Sequence, residues 1–122
     1  MSATRIPFPN GSLSPAELTG AFSALQADVT FIDAENVVRY FSDYRIFSRP
    51  ATCLNRDVLE CHPAATRPGI ERMISEFATG WRDEAVFLAH KDGRVVDVRY
   101  LAVRDQAGSY LGCLEVATWA TS

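Results

Sequence analysis

His62, Cys61, Arg45 and Arg49 are the residues whose types and spacing suggest chemistry. His62 stands between Cys61 and Pro63, where a neutral imidazole can serve a ligand or can cap the following helix and hydrogen-bond the backbone. Cys61 is either a thiolate donor or a free cysteine acting as a small buried hydrophobe. Structural zinc is rejected, because Cys53 with the adjacent Cys61 and His62 does not provide two spaced ligand pairs. Arg45 and Arg49 are four apart; on a helical turn both guanidinium groups would share one side and could clamp a carboxylate or phosphate. Their competing role is a surface ion pair with Asp43 or Asp57. His90, beside the turn Lys91-Asp92-Gly93, is expected to be exposed and without a role. A Gly-rich phosphate loop, a Ser-centred elbow and an acid pair at helical spacing pointing into an obvious cleft are all missing from the sequence, so no enzymatic activity is expected.

The elements that must position these residues begin with one hairpin. Arg94 to Arg104 carries Val95, Val96, Val98, Tyr100 and Val103, types that fit a pleated surface, and its even positions are expected to point inward. Asp105 to Gly108 supplies the turn, and Tyr110 to Thr118 returns as a second apolar strand. On that return strand Leu114 and Val116 lie on one side, and Leu111, Cys113, Ala117 and Trp119 on the other, interrupted by Glu115. Both faces therefore need a cover other than water. Upstream, residues 1–12 read as a flexible lead-in. Ser14, Pro15 and Glu17 mark a sharp helix start, and Leu18, Ala21, Phe22 and Leu25 give a helix over 14–27 an apolar stripe suited to the second face of the hairpin. Val29 to Asp33 and Val37 to Ser42 predict a second hairpin. From Asp43 to Thr66 the pattern loosens into short helical turns, where a pocket wall can be built. Pro68 opens a helix with Ile70, Met73, Ile74 and Phe77 inward and Gly80 at its stop, and Glu84 to His90 is a further strand.

That order predicts an α+β fold, a five-stranded antiparallel sheet with helices packed on one face and an N-terminal helix, in a single domain over residues 13–122. A chain of 122 residues buries enough surface for a core without staples. The formal charge of −3 and interspersed signs give no basic stripe, so nucleic acid is not an expected partner. The three cysteines, without a CxxC pair and with no secretory segment ahead of them, suggest a reducing cytoplasm. The apolar runs, such as Ala85 to Ala89, fall far short of the roughly 20 residues a bilayer span needs, so no membrane association is expected.

The wording of the sequence also resembles PAS sensor domains. The motifs are Asp28-Val29-Thr30-Phe31-Ile32-Asp33, Arg39-Tyr40-Phe41-Ser42, Arg45-Ile46-Phe47-Ser48-Arg49, Cys61-His62-Pro63, Val98-Arg99-Tyr100, Val103-Arg104-Asp105 and Tyr110-Leu111-Gly112-x-Leu114-Glu115-Val116. Together, from about Leu18 to Val116, they are similar to a bacterial PAS subfamily that commonly follows a domain of unknown function and a hemerythrin-like domain. Two departures stand out. The family pattern Cys-His-Pro-Pro becomes Cys61-His62-Pro63-Ala64 here, and the usual Asp-Ile-Thr-like exit is replaced by Trp119-Ala120-Thr121-Ser122.

The resemblance implies a sensory or signalling module, here read as standing alone, that holds a small ligand between helices and sheet. Phe31, Phe41, Phe47, Ile70, Met73, Ile74, Phe77, Val86, Leu88, Val98, Tyr100, Leu114 and Val116 would line that space, with Tyr40, Tyr44, Tyr100 and His62 as the polar groups able to converge in it. His62, Arg45, Arg49, Tyr100, Tyr44, Met73 and Phe77 are the candidate ligand-binding residues. The cofactor is unspecified: haem is an alternative if His62 faces the cavity and ligates iron, whereas flavin photochemistry is not expected because Glu60-Cys61-His62-Pro63 does not resemble the Asn-Cys-Arg-Phe-Leu-Gln run of the photoreceptor branch. A further alternative is a protein-interaction module with a filled core that forms a homodimer through the outer sheet face and the N-terminal helix.

Overall fold

A computed structural model describes residues 4–120; the extreme ends of the expected lead-in and exit, 1–3 and 121–122, lie outside the described residues. The chain opens with a small hairpin of β1 (Ile6–Phe8) and β2 (Gly11–Leu13), within a stretch whose sequence has no strand periodicity. Arg5 fastens it to the next element, reaching both Ser12 and the Glu17 carboxylate at 2.9 Å. Helix α1 (Pro15–Ala24) starts where its capping signals place it: Ser14 Oγ accepts from Glu17 N at 3.0 Å and Glu17 Oε1 accepts from Ser14 N at 2.8 Å. It stops short of the expected 27. Ser42 Oγ donates to the Ala27 carbonyl at 3.0 Å and accepts from Val29 N at 2.7 Å, which holds this stretch at the strand entrance.

The main sheet contains β3 (Asp28–Asp33), β4 (Val38–Phe41), β5 (Glu84–Lys91), β6 (Arg94–Arg104) and β7 (Tyr110–Trp119), all antiparallel in the order β4-β3-β7-β6-β5. Between β4 and β5 run two single 3₁₀ turns, Ala51–Cys53 and Val58–Cys61, and helix α2 (Arg67–Thr79), closed by Gly80 at φ 82°. Cys53 and Cys61 form a disulfide with Cα atoms 5.9 Å apart, so the two 3₁₀ turns are tied together. This corrects the reading of Cys61 as a free cysteine. Odd number and the absence of CxxC describe spacing in sequence, whereas pairing depends on the turns that fold residue 53 back onto residue 61.

Cross-strand pairing fixes which side chains share a face. Thr30, Glu115, Tyr100 and Ala85 form one row, and Ile32, Cys113 and Ala102 the next, on the face covered by α2 and the 3₁₀ turns. Phe77, Ile74 and Met73 of α2 close this core with Val38 and Val58, while Ile46, Val96, Val98 and Ala117 form a second cluster near the other end. The even positions of β6 point inward as the alternation predicts. On β7 the assignment is reversed: Cys113, Glu115 and Ala117 are buried against the helices, whereas Leu114 and Val116 pair with Phe31, Leu101, Val29 and Arg99 on the outer face. Phe31, Val86 and Leu88 likewise belong to the outer face and do not line the space beneath α2. The physical reason is Glu115. Both faces of β7 are apolar, so the lone carboxylate reads as a solvent marker, but in the fold it is buried and satisfied.

The outer face carries little cover. Helix α1 buries none of its residues; its main aromatic contact is the edge-to-face packing of Phe22 on Tyr40, at the β4 edge. Val86, Leu88, Val95 and Leu111 remain exposed.

Candidate functional site

A cleft of about 880 Å³ opens between α2, the irregular segment before it and the inner face of β5, β6 and β7. Phe47, Ile70, Met73, Phe87, Ala89 and Val98 give it apolar walls, and Arg49, His62, Tyr100 and Glu115 gather at its inner end. Behind them the core is filled: the enclosed space bordered by Ile32, Val38, Val58 and Met73 measures about 10 Å³, room for one water. The cleft itself falls in the size range of small-molecule sites.

The polar cluster is built from three elements. Tyr100 and Glu115 are direct cross-strand partners on β6 and β7, and the Tyr100 hydroxyl donates to Glu115 Oε2 at 2.6 Å. Arg49, from the segment after β4, reaches Glu115 Oε1 with Nη2 at 3.3 Å. His62 terminates the second 3₁₀ turn; its Nδ1 is 2.9 Å from the Val58 carbonyl and its Nε2 is 3.4 Å from Arg49 Nη1. A carbonyl only accepts and a guanidinium only donates, so these contacts select the neutral Nδ1–H tautomer, with the Nε2 lone pair turned to Arg49. Desolvation first, and then the Glu115 charge, push the Tyr100 hydroxyl pKa well above its ordinary value, keeping it a proton donor.

Some donor capacity is left over. Among the described residues Arg49 Nε is buried without a hydrogen-bond partner, and so is Arg82 Nε, another group on the cleft wall. Arg82 is otherwise held by Glu76 at 2.9 Å, and Arg72 lines the same cleft. Three guanidinium groups against the carboxylates of Glu76 and Glu115 leave the cleft with an excess of donors and positive charge.

The other candidates are placed elsewhere. Arg45 and Arg49 do not share a helical turn, because no helix forms over 43–50, and each pairs with its own carboxylate. Arg45 contacts Asp28 at 2.6 Å and packs over the Phe41 ring, while Asp28 also accepts from Ile46 N and Phe47 N at 2.9 Å. That pair anchors the irregular segment to β3. Tyr44 lies in the second core cluster, accepting from Trp119 Nε1 at 3.0 Å, and Phe77 is fully buried in the first; neither borders the cleft. Met73 is buried and borders it. Glu115 and Arg82 are the groups that sequence reasoning passed over. The signal for Glu115 was a carboxylate in an apolar strand opposite Tyr100.

Haem does not fit the residues present. The nitrogen that would ligate iron, His62 Nε2, faces a guanidinium, and its other nitrogen is held by backbone. Among the described residues no cluster of three His, Cys, Asp or Glu side chains is placed to hold a metal ion.

A family model for the PAS domain matches residues 19–118, nearly the whole described sheet and both flanks of the cleft. The chain belongs to the PAS domain family. Among solved structures this PAS domain is similar to a C-terminal domain from Streptococcus mutans, with 29% identity and a TM-score of 0.89 over 96% of this chain and 92% of that one. A sensory box sensor histidine kinase from Vibrio cholerae has 12% identity and a TM-score of 0.61, covering 86% and 90% of the two chains. VqmA bound to DPO has 18% identity and a TM-score of 0.62, over 88% of this chain and 58% of that chain. No curated protein sequence matches this PAS domain. PAS domains are sensory and signalling modules, and among the described residues no helix is long and apolar enough to cross a membrane.

Proposed function

We propose that this PAS domain is a cytoplasmic, non-enzymatic sensory module that binds a small molecule in the cleft between α2 and the sheet and relays occupancy through a protein partner. The observation that carries the proposal is the leftover hydrogen-bonding capacity: an apolar cleft of about 880 Å³ with Arg49 Nε buried and unpartnered at its inner end. An unsatisfied buried donor costs about 1–3 kcal/mol, and a ligand acceptor that met it would recover that energy as affinity. The segment from Arg49 to His62 forms one wall, so ligand contact with Arg49 would bias the packing of the 3₁₀ turns on the sheet.

Gly69 gives the test. It faces the cleft from α2, and a side chain added there meets nothing within 4 Å. Gly69→Trp therefore fills the cleft mouth from an exposed helical position. In a thermal-shift screen of small metabolites, compounds that raise the melting temperature of the wild-type domain are expected to lose that effect in Gly69→Trp. A screen without hits, or hits that act equally on both proteins, would reject the cleft as the binding site.

A second reading, a homodimerising interaction module, is favoured by the outer face. Val86, Leu88, Val95 and Leu111 are exposed on one side of the sheet, and α1 leaves its own apolar residues uncovered. A second copy of this chain would cover both. Sedimentation equilibrium of wild type against Leu88→Glu tests it; a wild-type monomer would end this reading.

A further inference from the structure

We propose that the Cys53–Cys61 pair is a reversible thiol–disulfide site whose redox state sets the position of His62 and, through it, Arg49. The site requires no occupant in the cleft, so it stands or falls separately from the proposed ligand binding.

Access and locality both favour chemistry at this bond. Cys53 and Cys61 form part of the lining of a solvent-open depression of about 410 Å³, with Pro50, Arg56, Glu60 and His62 around them. Cys61 is half-buried and Cys53 is 7% exposed, which makes the Cys61 sulfur the more reachable one. The bond closes a short ring, eight residues apart in sequence, between two single 3₁₀ turns, and neither cysteine belongs to the two core clusters. Opening it therefore unties the first turn and the Cys61 end of the second, while Val58 keeps its place in the first core cluster. The remaining thiol does not compete: Cys113 is fully buried, and desolvation first, with the Glu115 charge behind it, pushes its pKa up to about 12.

The connection to the cleft is one residue long. His62 directly follows Cys61 and ends the second 3₁₀ turn, with its backbone N donating to Leu59 O and its Nδ1 donating to Val58 O. While the bond holds that turn against the first, His62 Nε2 is kept at Arg49. Once the turn is released, Arg49 loses its brace and only the 3.3 Å contact to Glu115 remains.

The chemistry balances with a dithiol reductant and a peroxide oxidant. In reduction, a dithiol's thiolate attacks the Cys61 sulfur, the S–S bond breaks and Cys53 leaves as thiolate. The reductant's second thiol then displaces Cys61, so two electrons and two protons pass to the pair and the dithiol ends as its own disulfide. In oxidation, the Cys61 thiolate attacks a peroxide oxygen to give a sulfenic acid and water or alcohol; Cys53 then displaces the hydroxyl as a second water.

The test uses the intact chain, dithiothreitol and hydrogen peroxide. Oxidised protein, unfolded in guanidinium, is expected to titrate one thiol of the three cysteines, and reduced protein all three. In the folded state, the His62 ring and Arg49 Nε–H resonances are expected to move on reduction and return after peroxide, while Cys53→Ser and Cys61→Ser stay at the reduced-state positions under both conditions. Three free thiols in the peroxide-treated protein would overturn the proposal. So would a bond that excess dithiothreitol does not open in the folded domain, global unfolding on reduction, or reduction that leaves the His62 and Arg49 signals in place. The wild-type titration needs no substitution, so a variant that fails to fold does not blunt the test.

Discussion

Removing the Glu115 carboxylate is expected to expose how the inner end of the cleft is held. In Glu115→Ala the Tyr100 hydroxyl loses the acceptor it now meets at 2.6 Å, and Arg49 loses its paired charge. A hydrogen bond to a charged group contributes about 1.5–3 kcal/mol. Stranding a fully buried cation would cost about 3–5 kcal/mol, but the Arg49 side chain keeps 17% of its surface in water and its contact is long, so we discount that loss to roughly 1–2 kcal/mol. The sum is roughly 2.5–5 kcal/mol, a large part of the 5–15 kcal/mol that typically holds a domain of this kind. At roughly 4 °C per kcal/mol for a chain of this length, the melting temperature is expected to fall by about 10–20 °C. Tyr100→Phe removes the same hydroxyl bond but leaves the Glu115–Arg49 pair, and is expected to cost about 1–2 kcal/mol. The double variant should therefore be less destabilised than the sum of the two by about 1–2 kcal/mol, measured from urea unfolding of all four proteins. Additivity within about 0.3 kcal/mol would refute the contact and the account of the cluster built on it.

Three further outcomes follow from the fold. Ala117→Asp, on the buried side of β7, is expected to cost several kcal/mol, and Leu114→Asp, on the outer side, less than half as much; urea midpoints in the opposite order would overturn the face assignment. Gly112→Ala is expected to abolish or severely weaken folding, because a Cβ there would lie 2.2 Å from the Ile32 carbonyl oxygen and φ is +151°; an unchanged melting temperature would contradict the close approach of β7 to β3. Alkaline pH is expected to destabilise the domain. Burial raises Cys113 and Tyr110 to about 12 and Tyr100 further, so the unfolded chain loses its protons first, and stability declines as pH rises from about 9 by about 1.4 kcal/mol per unit for each such group. Cys113→Ala should flatten that slope, and stability unchanged between pH 8 and 11 would refute it.

Much of the fold was legible because its signals are local. Ser14, Pro15 and Glu17 mark the start of α1, Gly80 the end of α2, and alternation on β6 its inner face. What was not legible depends on contacts between distant residues. Alternation on β7 yields two apolar faces and no rule for choosing between them; the choice is made by Tyr100 and Arg49, which satisfy Glu115 only if it points inward. Four-residue spacing pairs Arg45 with Arg49 only on a helix, but the backbone there is irregular and Asp28 draws Arg45 away. Tyr44 and Phe77, candidates by residue type, pack in the two core clusters away from the cleft, whereas Arg82 enters the cleft from beyond α2, where no motif marks it. The disulfide belongs to the same class, since eight-residue spacing says nothing until two 3₁₀ turns bring Cys53 and Cys61 together.

The most direct test of the cleft as a sensory site is a methyl and side-chain NMR spectrum of the domain before and after equilibration with the small-molecule fraction of a cell extract. The account predicts shifts at Met73, Ile70 and Val98 and at Arg49 Nε–H, with Val86 and Leu88 on the outer face unmoved. Shifts confined to Val86 and Leu88, or an unaltered spectrum, would contradict it.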